Sequence, residues 1–248
     1  MRYPLLVPLA LVGCSGSEEA ATVDLPVTTS PAALAPAATD LGYQVSLTRV
    51  RIAVAKIEFT IEGEMHGDAA ARVVGTAPHP GHSAGGEVTG ELPGEFILEW
   101  NGRAQPQLGL GRLIVGDYQG ANFAIRAASA RDGLAANDPL VGHAFHLTGT
   151  ITKDATTRPF DALLDVEPDT SVIGAVFHDV ITEASTETLA LEFYPTDPVE
   201  GDTPFDGVDY FTLPTTADGA IAIRPGQPEH NIIRRAIQTH DQYGVQTL

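Results

Sequence analysis

Between residues 41 and 61 the chain carries a run of β-branched and aromatic side chains in near-alternation. Tyr43, Val45 and Leu47 keep one phase, and Val50, Ile52 and Val54, then Ile57, Phe59 and Ile61, carry the pattern on. Alternation of this kind buries one set of side chains and turns the other toward solvent, which is strand behaviour. The phase slips around Arg49 to Arg51, which predicts a bulge or a break into two strands. Strand-like segments follow at 95–100, 107–115, 120–130, 143–152, 159–166, 171–181, 188–194 and 220–224. Gly116-Asp117-Tyr118-Gln119-Gly120 reads as a hairpin connection between two of them. Short strands recurring about every 8–12 residues with turn signals between them predict an all-β chain built as an antiparallel sandwich.

One helix is expected, over 229–239. Pro228 opens it, Ile232, Ile233, Ala236 and Ile237 mark one face, and Gly244 lies beyond its end. His230 and His240 fall at its two ends, where solvation is their expected role, His240 also favoured by the C-terminal dipole. The chain loses alternation around 197–209. No composition shift divides it after residue 41, so 41–248 reads as a single domain.

Acids outnumber bases 32 to 14, a formal charge of −18. A surface of that sign repels nucleic acid and anionic lipid and attracts cations. The single cysteine stands at position 14, after Met1-Arg2-Tyr3 and an apolar run from Pro4 to Val12. That segment is too short to span a bilayer and reads as an export signal over 1–13. Leu11-Val12-Gly13-Cys14 resembles the lipobox of bacterial lipoproteins, which implies cleavage before Cys14 and its diacylation. Ser15 after the cysteine implies sorting to the outer membrane, with the folded part facing the periplasm. Residues 14–40, rich in Ala, Pro, Thr and Ser, then read as a lipidated cysteine and a flexible tether.

The chemistry on offer concentrates in a Gly- and His-rich stretch, expected as a long loop after the first strands. His79-Pro80-Gly81-His82 suits a type II turn, with Pro fixing φ and Gly accepting a positive φ. Such a turn brings its outer residues within about 7 Å and aims two imidazoles at one point. Copper or zinc takes imidazole ligands with a carboxylate or water completing the sphere. His79 and His82 are therefore the expected ligands, with Glu64 and His66 assisting and Glu87 and Glu91 as further candidates. His143 and His146 have the same spacing, but on a regular strand they face opposite sides, so at most one would ligate. Asp179, next to His178, likewise points away from it.

No Gly-x-Ser-x-Gly, phosphate-cradling glycine loop or His-Glu-x-x-His occurs, and no thiol remains beyond Cys14. A non-enzymatic role is expected. Residues 145–211, with Pro159-Phe160 before a strand and Phe205-Asp206-Gly207-Val208-Asp209, resemble the small periplasmic copper-binding β proteins of the methanobactin-associated type. The resemblance implies copper and a periplasmic setting, and carries over no ligand residue. The stretch from His79 to Leu92 also looks like that of bacterial lipoproteins, which implies location alone. The functional expectation is an envelope-anchored lipoprotein that binds a divalent transition metal. The alternative is a non-catalytic scaffold for another envelope protein.

Overall fold

The computed structural model describes residues 20–61 and 88–248. The elements in chain order are β1 (Thr22–Thr29), β2 (Ala37–Ala38), β3 (Gln44–Thr60), β4 (Val88–Trp100), β5 (Gly109–Ile114) and β6 (Gly116–Ile125). They continue with β7 (Phe145–Lys153), β8 (Thr156–Leu164), β9 (Ser171–Ile181), β10 (Leu189–Phe193), β11 (Ile221–Ile223), α1 (Pro228–Ile237) and β12 (Tyr243–Thr247). The all-β expectation holds. The pairing differs from an antiparallel sandwich, because the strands form one mixed twelve-stranded sheet. Its parallel pairs are β1 with β10, β8 with β11, and β9 with β12.

The sheet closes on itself. From Val54 to Thr60, β3 pairs with β4 along one edge and with β6 along the other. Following neighbours from β4 through β5, β1, β10, β12 and β9 returns to β6. The eight strands make a closed ring, which leaves no free edge along the circuit. The first half of β3 leaves the ring to pair with β7, and β8 and β11 extend that side sheet. The expected slip near Arg49 is a register shift between Leu47 and Arg49 against β7. A second bulge falls at Lys56, whose φ is +35°, and shifts register against β4 and β6 alike.

Aromatic side chains fill the core. Phe59 and Tyr118 both pack against Phe177, with ring centroids 6.0 and 5.7 Å away. Phe123, Tyr243, Phe193 and Trp100 form a second chain of ring contacts at 5.1 to 5.8 Å. All belong to one apolar cluster with Leu25, Val27, Leu113 and Leu191. Asp24, Glu91, Arg112 and Asp117 stand exposed on the ring strands. A barrel that crosses a membrane shows the reverse, apolar outward and polar inward.

Three local expectations are corrected. Thr22–Thr29 belongs to the ring rather than to a tether, since Leu25 and Val27 alternate into the core. Pro26 is tolerated there because pairing with β10 begins only at Val27, so one edge of the strand is unused at the proline. The stretch 116–120 is the first half of β6 and makes no hairpin with β5. The chain turns at Val115, and β6 crosses to pair with β3 and β9. The helix starts at Pro228 as expected, but its buried face is His230, Ile233 and Ile237, with Ile232 exposed.

The bulge in β3 drives backbone against Gly149, where a Cβ would sit 2.1 Å from the Ser46 carbonyl oxygen and 2.8 Å from Leu47 Cα. All of these are backbone atoms of β3, which leaves nothing flexible to yield. Gly149→Ala is expected to cost about 3 kcal/mol or more and to lower Tm by roughly 6–12 °C in thermal denaturation.

Candidate functional site

Cys14, Glu64, His66, His79, His82 and Glu87 all lie outside the described residues. Glu91 is described, exposed on β4 opposite Glu58. The remaining histidines are engaged in structure. On β7, His146 is buried, with Nδ1 2.6 Å from Arg51 Nη2 and Nε2 3.0 Å from Asp161 Oδ2. A guanidinium only donates, so Nδ1 accepts from Arg51 while Nε2 donates to Asp161. Both nitrogens are occupied, and His146 has no lone pair left for a metal.

This contact is the middle of a longer chain of alternating charge. Arg51 donates two hydrogen bonds of 2.8 Å to the Asp138 carboxylate. Arg224 pairs with the far side of Asp161 and donates to its carbonyl at 2.7 Å. Asp138, Arg51, His146, Asp161 and Arg224 thereby clamp β3, β7 and β8 to the end of β11. Arg51 draws the Asp138 carboxyl down to about 2, and His146 leads the groups that lower Asp161 against its burial.

His143 Nδ1 lies 2.6 Å from Asp165 Oδ1, and the Asp165 N–H donates to His230 Nε2 at 3.0 Å. His230 and His240 are both buried, which corrects their expected role as solvated helix ends. His230 lies three residues before Ile233 and therefore shares the buried face of α1. Burial lowers its pKa, so it stays a neutral acceptor. His178 contacts Gln119 while Asp179 accepts from Thr247, so these neighbours do point apart. None of His143, His146, His178 and His230 bonds a serine hydroxyl among the described residues.

Beyond β10 the chain places a different donor set together. One carboxylate oxygen from each of Asp197, Glu200 and Asp202 lies within 4.8 Å of the others. Oxygens coordinated about 2.4 Å from one ion stand at most about 4.8 Å apart, so the spacing fits a single cation of calcium size. Asp197 is 4 % exposed and its carboxylate accepts the Val199 N–H at 2.7 Å. The turn is pinned by Asp197 N–H to the Asp202 carbonyl at 2.9 Å and Gly201 N–H to the Asp197 carbonyl at 3.0 Å. Below it, Thr203 donates to the Pro195 carbonyl at 2.7 Å, and Asp206 accepts from Thr203 N and Asp40 N. Phe205, Val208 and Tyr210 anchor this base in the core.

Glu200 and Asp202 are exposed, and partial desolvation raises the Asp202 pKa first, with the like charges of Asp197, Asp206 and Asp241 raising it further. Three carboxylates with no imidazole or thiolate suit a hard cation such as Ca²⁺, Mg²⁺ or Mn²⁺ rather than copper. The signal in the sequence was the spacing of three acids around Pro198 and Gly201, inside a stretch noticed only for its lost alternation. No family model matches this chain, and no curated protein or solved structure matches it either.

Asp138 tests the charge chain. Its depressed pKa contributes stability that is complete above the ordinary aspartate range near 3.8 and is lost as pH falls toward about 2. Asp138→Asn is expected to cost about 2 kcal/mol or more at pH 7, because Arg51 would stay buried without its partner. In urea unfolding followed across pH, the gap between variant and wild type narrows below pH 4.

Proposed function

We propose that the chain is a non-catalytic binding protein of the cell envelope, anchored at the outer membrane through Cys14 and facing the periplasm. Its folded part takes one divalent hard cation, Ca²⁺ by preference, through Asp197, Glu200 and Asp202. The supporting observation is convergence: three carboxylate oxygens close enough together for one coordination sphere, on a hydrogen-bonded turn. Like charges held that close repel one another, and a bound cation turns the repulsion into attraction. Calcium accepts the irregular all-oxygen sets that such turns supply, whereas Mg²⁺ demands stricter octahedral geometry. The acidic surface adds a long-range attraction for cations.

A second reading keeps copper or zinc at His79 and His82, with Glu64 and His66 assisting. Pro80-Gly81 between the two histidines supports it, because a type II turn would bring them together. The two readings use different ligands and are separable on one protein.

Calorimetric titration of the chain from Ser15 onward, which keeps β1 intact, tests both. Ca²⁺ is expected to bind once, with Kd on the order of 10⁻⁴ M. Asp197→Asn/Asp202→Asn is expected to weaken that binding by about ten-fold or more and to leave any Cu²⁺ or Zn²⁺ binding alone. His79→Ala/His82→Ala would do the opposite. A wild type that gives no Ca²⁺ heat sinks the first reading, and one that takes neither Cu²⁺ nor Zn²⁺ sinks the second.

The same cluster has a consequence for stability without metal. A carboxyl whose pKa is raised by folding opposes folding above its ordinary range, and the penalty vanishes below about 3.8. In calcium-free buffer Asp202→Asn is expected to raise Tm at pH 7 and to match wild type near pH 3.5. Saturating Ca²⁺ should reverse the order at pH 7 in differential scanning calorimetry.

A further inference from the structure

Asn101 is the chain's only asparagine followed by glycine, and it lies in the bend that leaves β4. Each polar atom of its amide has a partner. Oδ1 accepts the Arg103 N–H at 3.1 Å and Gln105 Nε2 at 2.8 Å. Nε2 of Gln105 also donates to the Arg103 carbonyl at 3.3 Å, which turns the nitrogen of that amide toward Asn101. Nδ2 of Asn101 donates to Glu99 Oε1 at 2.7 Å, and Arg49 holds the other Glu99 oxygen at 2.6 Å.

The bond from Arg103 N–H to Asn101 Oδ1 closes an Asx turn, in which a side-chain carbonyl takes the place of a backbone carbonyl. Such a turn folds Cγ back over the backbone nitrogen between the two residues, here that of Gly102. Gly102 is exposed, has no Cβ to obstruct an approach, and its N–H has no acceptor among the described residues. The two donors on Oδ1 polarise the carbonyl and stand where an oxyanion would need them. A carboxylate beside Nδ2 favours the positive charge that a departing nitrogen passes through. An electrophile, a nucleophile and a stabilised leaving group are thus held together within one turn.

We propose that Asn101 is a site of self-modification, converted through a cyclic imide to aspartate or isoaspartate. Gly102 N attacks Asn101 Cγ, and its proton passes to solvent. The Cγ–Nδ2 bond breaks, and the nitrogen takes up a proton from solvent and leaves as ammonia. Water then opens the imide at either of its carbonyls. The net change replaces the amide nitrogen by an oxygen from water and adds one negative charge. Glu99 loses its donor and faces a like charge, and in the isoaspartate product the main chain runs through the former side chain. Thr28 on β1 donates to the Gln105 carbonyl at 3.3 Å, so the altered turn is tied directly to the ring. The inference shares no residue with either proposed metal site and does not depend on them.

The chain from Ser15 onward is held at pH 8 and 37 °C beside a synthetic peptide of residues 98–106, and both are followed by mass-spectrometric peptide mapping. The folded chain is expected to show the mass gain of amide-to-acid conversion at position 101 about five-fold faster than the peptide, because the turn supplies the geometry of attack in advance. Asn122, Asn137 and Asn231 are expected to stay unchanged over the same period. In urea the chain should fall to the peptide's rate. Gln105→Ala removes one donor from Oδ1 and is expected to slow conversion about three-fold or more. A folded chain that converts at the peptide's rate or slower overturns the proposal, as does a Gln105→Ala rate equal to wild type. The first comparison needs no variant, so a misfolded Gln105→Ala would not shield the idea.

Discussion

The architecture depends on one strand pairing along both of its edges. Over Val54 to Thr60, β3 has β4 on one side and β6 on the other, and that double pairing shuts the ring. Without the β6 ladder the same strands would form an open sheet with β3 and β6 as free edges, the condition that invites aggregation. Seventeen residues let β3 do this and still reach outside to hold β7. The bulges make the change of partner workable. Each adds a residue to one strand, bends it and increases its twist, so the second half of β3 curves into the ring while the first half leaves it.

Closure also decides where function can sit. The core between the strands is occupied by Phe59, Tyr118, Phe177, Phe123 and Tyr243 at ring-contact distance, which leaves it for packing rather than for a ligand. Binding chemistry is pushed to the strand ends, where loops depart and backbone groups are free to point outward. The acidic turn sits at the exit of β10, a strand held on one side by the parallel β1 and on the other by β12. Rigid support on both sides is what a preorganised loop site needs.

Much of the strand content was legible because alternation is local. The run in β3, its slip near Arg49 and most of the later strands follow from side-chain phase alone. The ring was not legible, because phase says that a strand has two faces and nothing about its partners. Three of the pairings are parallel and join segments far apart in the chain, β1 to β10 among them. β1 was hidden further by Pro26 and its Ala- and Thr-rich flanks, and β12 by Gly244, which reads as the stop signal of a helix. The partners of the histidines were hidden for a related reason. Spacing brought His143 and His146 to notice, yet His146 is held by Arg51 and Asp161, distant in sequence. The acidic turn was within reach of the sequence but lay in an irregular stretch, where no periodicity marks a residue as buried.

The excess of acid explains why the proposed site favours a cation. The chain has 14 basic side chains, and the well-buried ones are committed to particular partners. Arg51 holds Asp138, Arg126 holds Asp132, Arg224 holds Asp161 and Arg234 holds Glu167. Lys153 and Arg158 lie over the rings of Tyr43 and Phe211. These pairs stabilise the side sheet, its flanking loops and the helix, and they leave Asp202 held up by Asp197, Asp206 and Asp241. Removing one carboxylate at a time from such a cluster relieves repulsion, whereas removing one from a committed pair strands a buried guanidinium. The same substitution, Asp to Asn, therefore has opposite signs at positions 202 and 138. That difference distinguishes carboxylates that hold the fold together from those that strain it in favour of a ligand.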